Sequence, residues 1–186
     1  MDNGACSYRR FRNHGDEDGL VEIIRTYRDG LILYLCNFVG NLDIAEELAE
    51  DVFVLLGTKK PRDKGTGSFK TWLYTIGRNK ALNYLKHTKR HPATSLEACA
   101  EVADQQTTLE TGFLAEERKI LLHKAMQKLK PEYRQILWLV YFEEMTNQQA
   151  AQIMKKSVHS VETLVYRARK SLKSQLEKED FHYEEY

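Results

Sequence analysis

Asp43, Glu46, Glu47, Glu50 and Asp51 place five carboxylates within one short stretch. On a helix, the steps of one, three and four residues among Glu46, Glu47, Glu50 and Asp51 bring them to one face. Such a face suits two chemistries. It can hold a divalent cation for nucleic-acid cleavage, or it can dock a basic partner, where charge governs on-rate and register more than affinity. Metal sites usually recruit ligands from several elements, and the neighbouring basic segments offer few acids, so a metal site is not expected. His14, His87, His91, His123, His159 and His182 pair with no Ser, Cys or Asp at a useful spacing. Gly65-Thr66-Gly67 is too short for a nucleotide-binding loop. No catalytic residue, metal or cofactor is expected, and the chain does not read as an enzyme.

The complementary candidates are cationic. A net charge of +1 over 186 residues hides strong blocks. Residues 16–56 hold ten acidic and two basic side chains, residues 57–91 ten basic and one acidic, residues 92–117 six acidic and none basic, and residues 118–176 twelve basic and four acidic. Two basic blocks separated by acidic ones imply two polyanion-binding faces, with ordinary solvated helix faces as the bland alternative. No apolar run approaches the roughly 18 residues that would span a membrane, and no apolar core follows Arg9, Arg10 and Arg12 as it would in a signal peptide. A cytoplasmic protein without membrane insertion is expected. Three cysteines, Cys6, Cys36 and Cys99, have no metal-ligand spacing, so no disulfide framework is expected either.

The elements that position these groups read as helical throughout. Leu20, Ile23, Ile24, Tyr27, Leu31, Tyr34, Leu35 and Phe38 recur at three and four until Gly40-Asn41. Asp43 with Glu46 makes a capping box for the next helix, whose apolar face is Ile44, Leu48, Val52, Leu55 and Leu56. Residues 57–67 read as a loop. Ser68 caps a helix to about Lys89, with Trp72, Leu73, Ile76, Leu82 and Leu85 inward. His91-Pro92 ends it, and residues 92–113 read as an acidic, flexible linker. Beyond it come helices over about 114–129 and 132–142, a short helix capped by Thr146 or Asn147 and ending near Met154, a turn at 155–157, and a helix to about Leu176. The last two have the proportions of a helix-turn-helix, the second burying Val158, Val161, Val165, Ala168 and Leu172. The expected architecture is all-α: two small helical domains, 16–91 and 114–176, between an N-terminal tail (1–15) and an acidic C-terminal tail (177–186).

Certain runs make the chain recognisable. Leu129-Lys-Pro-Glu-Tyr-Arg-Gln-Ile-Leu, Tyr141-Phe-Glu-Glu-Met-Thr, Ala150-Ala-Gln-Ile-Met and Tyr166-Arg-Ala-Arg-Lys-Ser-Leu together resemble region 4 of the extracytoplasmic-function group of the sigma-70 family. Asp43-Ile-Ala-Glu-Glu-Leu-Ala-Glu-Asp-Val-Phe resembles region 2.2 of that family. The run from Phe69-Lys-Thr-Trp-Leu-Tyr to Asn83-Tyr-Leu-Lys resembles regions 2.3 and 2.4. The likeness covers about residues 18–90 and 115–176, in the family's order.

The resemblance implies a transcription initiation factor. Its partners would be core RNA polymerase (the clamp helices of the largest subunit and the flap region), promoter DNA, and an anti-sigma factor able to hold such a chain inactive. Asp43, Glu46, Glu47, Glu50 and Asp51 would dock on the clamp, Glu50 standing where glutamine is usual. The loop 57–70, with Lys59, Lys60, Arg62 and Lys64, would capture a flipped base of the −10 element. Ser68, Phe69, Lys70, Trp72, Arg78, Asn79, Asn83 and Lys86 would face that element, although the spacing of Trp72 with Ile76 fits core packing better. Lys155, Lys156, Ser157, His159, Ser160, Glu162, Thr163, Tyr166, Arg167 and Lys170 would read the −35 element. The turn departs from the family's glycine followed by an apolar residue: Lys155-Lys156 stands there, implying either a strained turn at Lys155 or a different turn, with two extra cations able to contact phosphate. A flexible linker would let the domains occupy both elements at once. The rival reading is a dimeric helix-turn-helix regulator independent of polymerase, but no sustained heptad supplies its interface. The acidic, aromatic tail 177–186 could fold over the basic reading face as an internal mimic of DNA, or simply fray.

Overall fold

The computed structural model describes residues 3–63, 67–88 and 112–178, with the backbone alone over 112–119. All the regular elements among these residues are helical: α1 (Asn3–His14), α2 (Glu17–Val39), α3 (Leu42–Lys59), α4 (Phe69–Thr88), α5 (Gly112–Gln127), α6 (Pro131–Leu137), a π-helical turn (Trp138–Phe142), α7 (Asn147–Met154) and α8 (Val158–Lys178).

The N-terminal stretch, expected to be a tail, is a helix. Only Tyr8 and Phe11 among its large side chains turn inward, too few to register as a periodic pattern. What holds it is tertiary and polar. The Tyr8 hydroxyl donates to the Pro61 carbonyl at 2.7 Å, Arg12 Nε donates to the Lys60 carbonyl at 3.2 Å, and Ser7 Oγ donates to Glu22 Oε2 at 2.7 Å. Gly19 lets α2 approach so closely that a Cβ there would strike the Ser7 carbonyl. Burial pushes the Tyr8 phenol up to about 12, which keeps it a neutral donor.

The helices α2 and α3 pack along each other and both meet α4. The cap of α3 differs from the expected Asp43–Glu46 box: Asn41 is the N-cap, its side chain accepting the Ile44 N–H at 2.9 Å. The helix also runs past Gly57 to Lys59, where Lys60 closes it at φ 43°, so the connecting loop is shorter than expected. Ser68 caps α4 as expected, its Oγ accepting the Thr71 N–H at 3.2 Å. Cys36, buried on α2, is disulfide-bonded, contrary to expectation: an odd cysteine count still permits one pair. Cys6 is free and exposed.

In the second domain the expected helix over 132–142 divides into α6 and the π-helical turn, whose Trp138 and Phe142 rings stack at 4.3 Å and 6°. The wider turn brings these rings into register four residues apart. Thr146 caps α7 in a full capping box with Gln149. α8 buries Val161, Leu164 and Ala168. Val158, expected inward, is 41% exposed, and Leu164 is buried on α8 instead.

The two domains pack together. α4 lies against α7 and α2 against α6, and one continuous apolar core joins Tyr34, Leu35 and Leu73 to Ile136, Leu139 and Ile153. The proposed linker, 92–113, falls almost wholly outside the described residues. Among the described residues no helix is long and apolar enough to cross a membrane.

Candidate functional site

The acidic face is built on α3. Ala45, Leu48, Ala49, Val52, Phe53 and Leu56 are its buried side, and this leaves Asp43, Glu47, Glu50 and Asp51 exposed and Glu46 half-buried. Asp51 turns toward α4, accepting Lys80 Nζ at 2.7 Å. Glu47 and Glu50 continue into Val54, an apolar residue 59% exposed. Sequence reasoning missed Val54. The available signal was its position off the inward stripe, an apolar side chain with no core to enter. Val54 stands one turn beyond Glu50 on the same exposed side of α3.

The first basic edge follows the loop after α3 and the length of α4. Lys59 and Arg62 are exposed. Lys60 sits with Nζ 4.5 Å over the Phe11 ring, and Lys64 lies outside the described residues. Phe69 is 0% exposed, its ring packed 5.4 Å from Tyr8, 5.6 Å from Tyr27 and 5.5 Å from Trp72. Its expected place on a DNA-facing surface is corrected: it is buried among these rings. Trp72, half-buried against Tyr8 at 5.3 Å, also belongs mainly to this cluster. Asn83 and Lys86 are exposed on the C-terminal half of α4, with Asn79 half-buried between.

Three residues of the same edge are engaged by the second domain. Lys70 Nζ lies 2.8 Å from Glu143 Oε2 and donates to the Glu143 carbonyl at 2.9 Å. Arg78 Nε donates to Gln135 Oε1 at 3.2 Å. Gln149 Nε2 donates to Ser68 Oγ at 3.3 Å. Nothing in the sequence pointed to these partners.

The second basic edge is the start of α8 and the turn before it. Lys155, Lys156, Ser157, His159, Ser160 and Glu162 are all exposed, as are Tyr166, Arg167 and Lys170; Thr163 is half-buried. Lys155 takes φ 54° and ψ 47°, the left-handed conformation, which is the strained one of the two turns expected. Ser157 Oγ accepts the Ser160 N–H at 3.2 Å and so caps α8. Lys156 Nζ meets Glu132 at 2.9 Å. Among the described residues, the N-terminal turns of α8 therefore carry mostly exposed polar and basic side chains.

The family model "Sigma-70 region 2" matches residues 23–91 and "Sigma-70, region 4" matches residues 119–172. The RNA polymerase sigma factor YlaC of Bacillus subtilis is 26% identical over 162 residues, which covers 87% of this chain and 94% of that protein. The ECF RNA polymerase sigma factor SigW of the same organism is 26% identical over 174 residues, with coverage of 87% and 91%. Among solved structures, the sigma factor RpoE in complex with the anti-sigma factor NepR from Bartonella quintana superposes with a TM-score of 0.65 at 20% identity, covering 84% of this chain and 95% of that one. CnrH in complex with the cytosolic domain of CnrY superposes with a TM-score of 0.63 at 19% identity, covering 95% and 96%. With both region models matched in order, and relatives aligned over nearly their whole length, the chain belongs to the extracytoplasmic-function group of the sigma-70 family.

Proposed function

We propose that this protein binds core RNA polymerase and directs promoter-specific initiation, with α3 docking on the clamp helices, the α4 edge reading the −10 element and α8 the −35 element. The carrying observation is the placement of an exposed acidic face and two basic edges on the two regions that match the family, in its order. Asp43, Glu46, Glu47, Glu50 and Val54 form the docking patch. Charge steers the encounter and Val54 adds desolvated apolar area.

Asn79, Asn83 and Lys86, with Lys70 and Arg78 once these are free, face the −10 strand. Lys59, Lys60, Arg62 and Lys64 hold phosphates around a base that the loop accepts after it leaves the stack. On α8, Ser157, His159, Ser160, Glu162 and Thr163 reach base edges while Lys155, Lys156, Arg167 and Lys170 hold backbone phosphates. The working units are residues 3–91, enlarged by α1, and 112–178. The chain acts in the cytoplasm, at the nucleoid with polymerase. The two solved neighbours are bound to partner proteins, one named as an anti-sigma factor, and an anti-sigma factor is the expected regulator here.

Co-purification with bacterial core RNA polymerase, followed by run-off transcription from a genomic fragment library, tests this reading. Stable binding and new promoter-specific transcripts are expected, with both lost in the Glu46→Lys, Glu47→Lys double variant. DNA binding as a dimer with no affinity for polymerase would replace it with a conventional regulator.

A further inference from the structure

Resting on that functional reading, the interdomain contacts have a consequence for the free chain. Glu143, in the turn between the π-helical segment and α7, has a side chain only 9% exposed. Its own domain holds it in place, because Trp138 Nε1 donates to Glu143 Oε1 at 3.2 Å. Its other oxygen reaches across to Lys70 Nζ at 2.8 Å, and Tyr74, buried on α4, hydrogen-bonds the same carboxylate. Gly30 on α2 makes room for this meeting. A Cβ there would stand 2.7 Å from the Tyr74 hydroxyl and 3.1 Å from Glu143 Oε1. Gln135 meanwhile takes Arg78, and Gln149 takes Ser68. The second domain therefore satisfies the hydrogen-bonding groups on the N-terminal half of α4, and a carboxylate occupies the lysine that a phosphate would otherwise hold.

We infer that Glu143 is a latch: in the free chain its carboxylate clamps Lys70 and Tyr74, seats the second domain on the −10-reading edge, and keeps the protein closed until polymerase separates the domains. The pair is mostly shielded from water, so removing either partner leaves an uncompensated charge in the interface and favours separation. Closure lowers apparent affinity for polymerase in proportion to the open fraction, since only the open form can present both domains to separate sites.

The test uses the full chain and two variants that approach the latch from opposite domains, Glu143→Lys and Lys70→Met. Small-angle X-ray scattering reads closure, and circular dichroism verifies that helicity is kept. The native chain is expected near the radius of about 16 Å for a compact chain of its length; both variants are expected to be larger. Core polymerase binding by Lys70→Met, whose substitution lies off the docking face, should tighten about tenfold, corresponding to an open population near one in ten. A native chain already extended in solution overturns the latch, as do variants that stay as compact as the native chain. Opening without any gain in an existing polymerase affinity overturns its role in controlling docking. Opening of both variants with no polymerase binding by any of the three proteins sinks the functional reading instead and leaves the latch standing.

Discussion

Lys155 shows how one residue can serve two ends. It closes α7 in the left-handed conformation, which costs an L-residue with a Cβ roughly 1 kcal/mol relative to glycine. It also places a cation beside the first turn of α8. Lys155→Gly should therefore raise the melting temperature by about 2–4 °C in a chain of this size, while the slope of log affinity for −35 DNA against log salt falls by about 1. Calorimetry and salt titrations check the two halves separately, and a loss of both stability and affinity would contradict the strain argument. Thr146 has the opposite balance. It both accepts the Gln149 N–H and is met by the Gln149 side chain, so Thr146→Ala should destabilise the protein by about 1 kcal/mol, read from denaturant midpoints at unchanged slope. Such local assignments were largely legible in advance: Ser68 was named as a cap, and the cap at Thr146 or Asn147 and the turn at Lys155 were narrowed to two forms each, because neighbours within a few residues set them. Phe69 was not. Its type and loop-edge position suit stacking on a base as well as packing, and Tyr8 and Tyr27, arriving from other helices, decide for packing.

At the scale of elements, α1 carries more than its sequence suggests. Its Phe11 is buried and lies against Tyr8, 6.5 Å between ring centroids, and Tyr8 in turn covers Phe69 and Trp72. Phe11→Ala should cost about 3 kcal/mol or more, measured by urea unfolding. A cost near zero would return the segment to the status of a tail. The long helices α2, α3, α4 and α8 were legible from periodicity because each buries a stripe of four or more apolar residues. Two buried rings give no period, and the polar bonds to Pro61, Lys60 and Glu22 that complete α1 have no sequence signature. The same reasoning explains α3: Asn41 and Asp43 are both good caps by type, and the choice falls to whichever backbone leaves the helix first.

For the whole molecule, pH is a probe of integrity. Burial on α5 pushes the His123 imidazole below its ordinary value. The unfolded chain, titrating near 6.5, then binds the proton first. Between the two values the unfolded state holds more protons, so stability is full above about 6.5 and declines as pH falls through that window. Urea midpoints from neutral to mildly acidic pH should show this decline, and His123→Gln should flatten it. An unchanged slope in the variant would assign the acid sensitivity elsewhere.

By itself the sequence determined the helical class, the order of the two regions, the acidic face of α3 and the basic exposed face of α8. Each of these depends on residues close together along one chain segment, where helical spacing alone places side chains on a common face. Tertiary structure decided the N-terminal helix, the burial of Phe69, the isolated Val54 and the seating of the second domain on α4. These depend on groups far apart in sequence, Lys70 with Glu143 and Arg78 with Gln135 among them, whose pairing is selected by shape and by the cost of leaving a buried charge unmatched, and no local pattern encodes that.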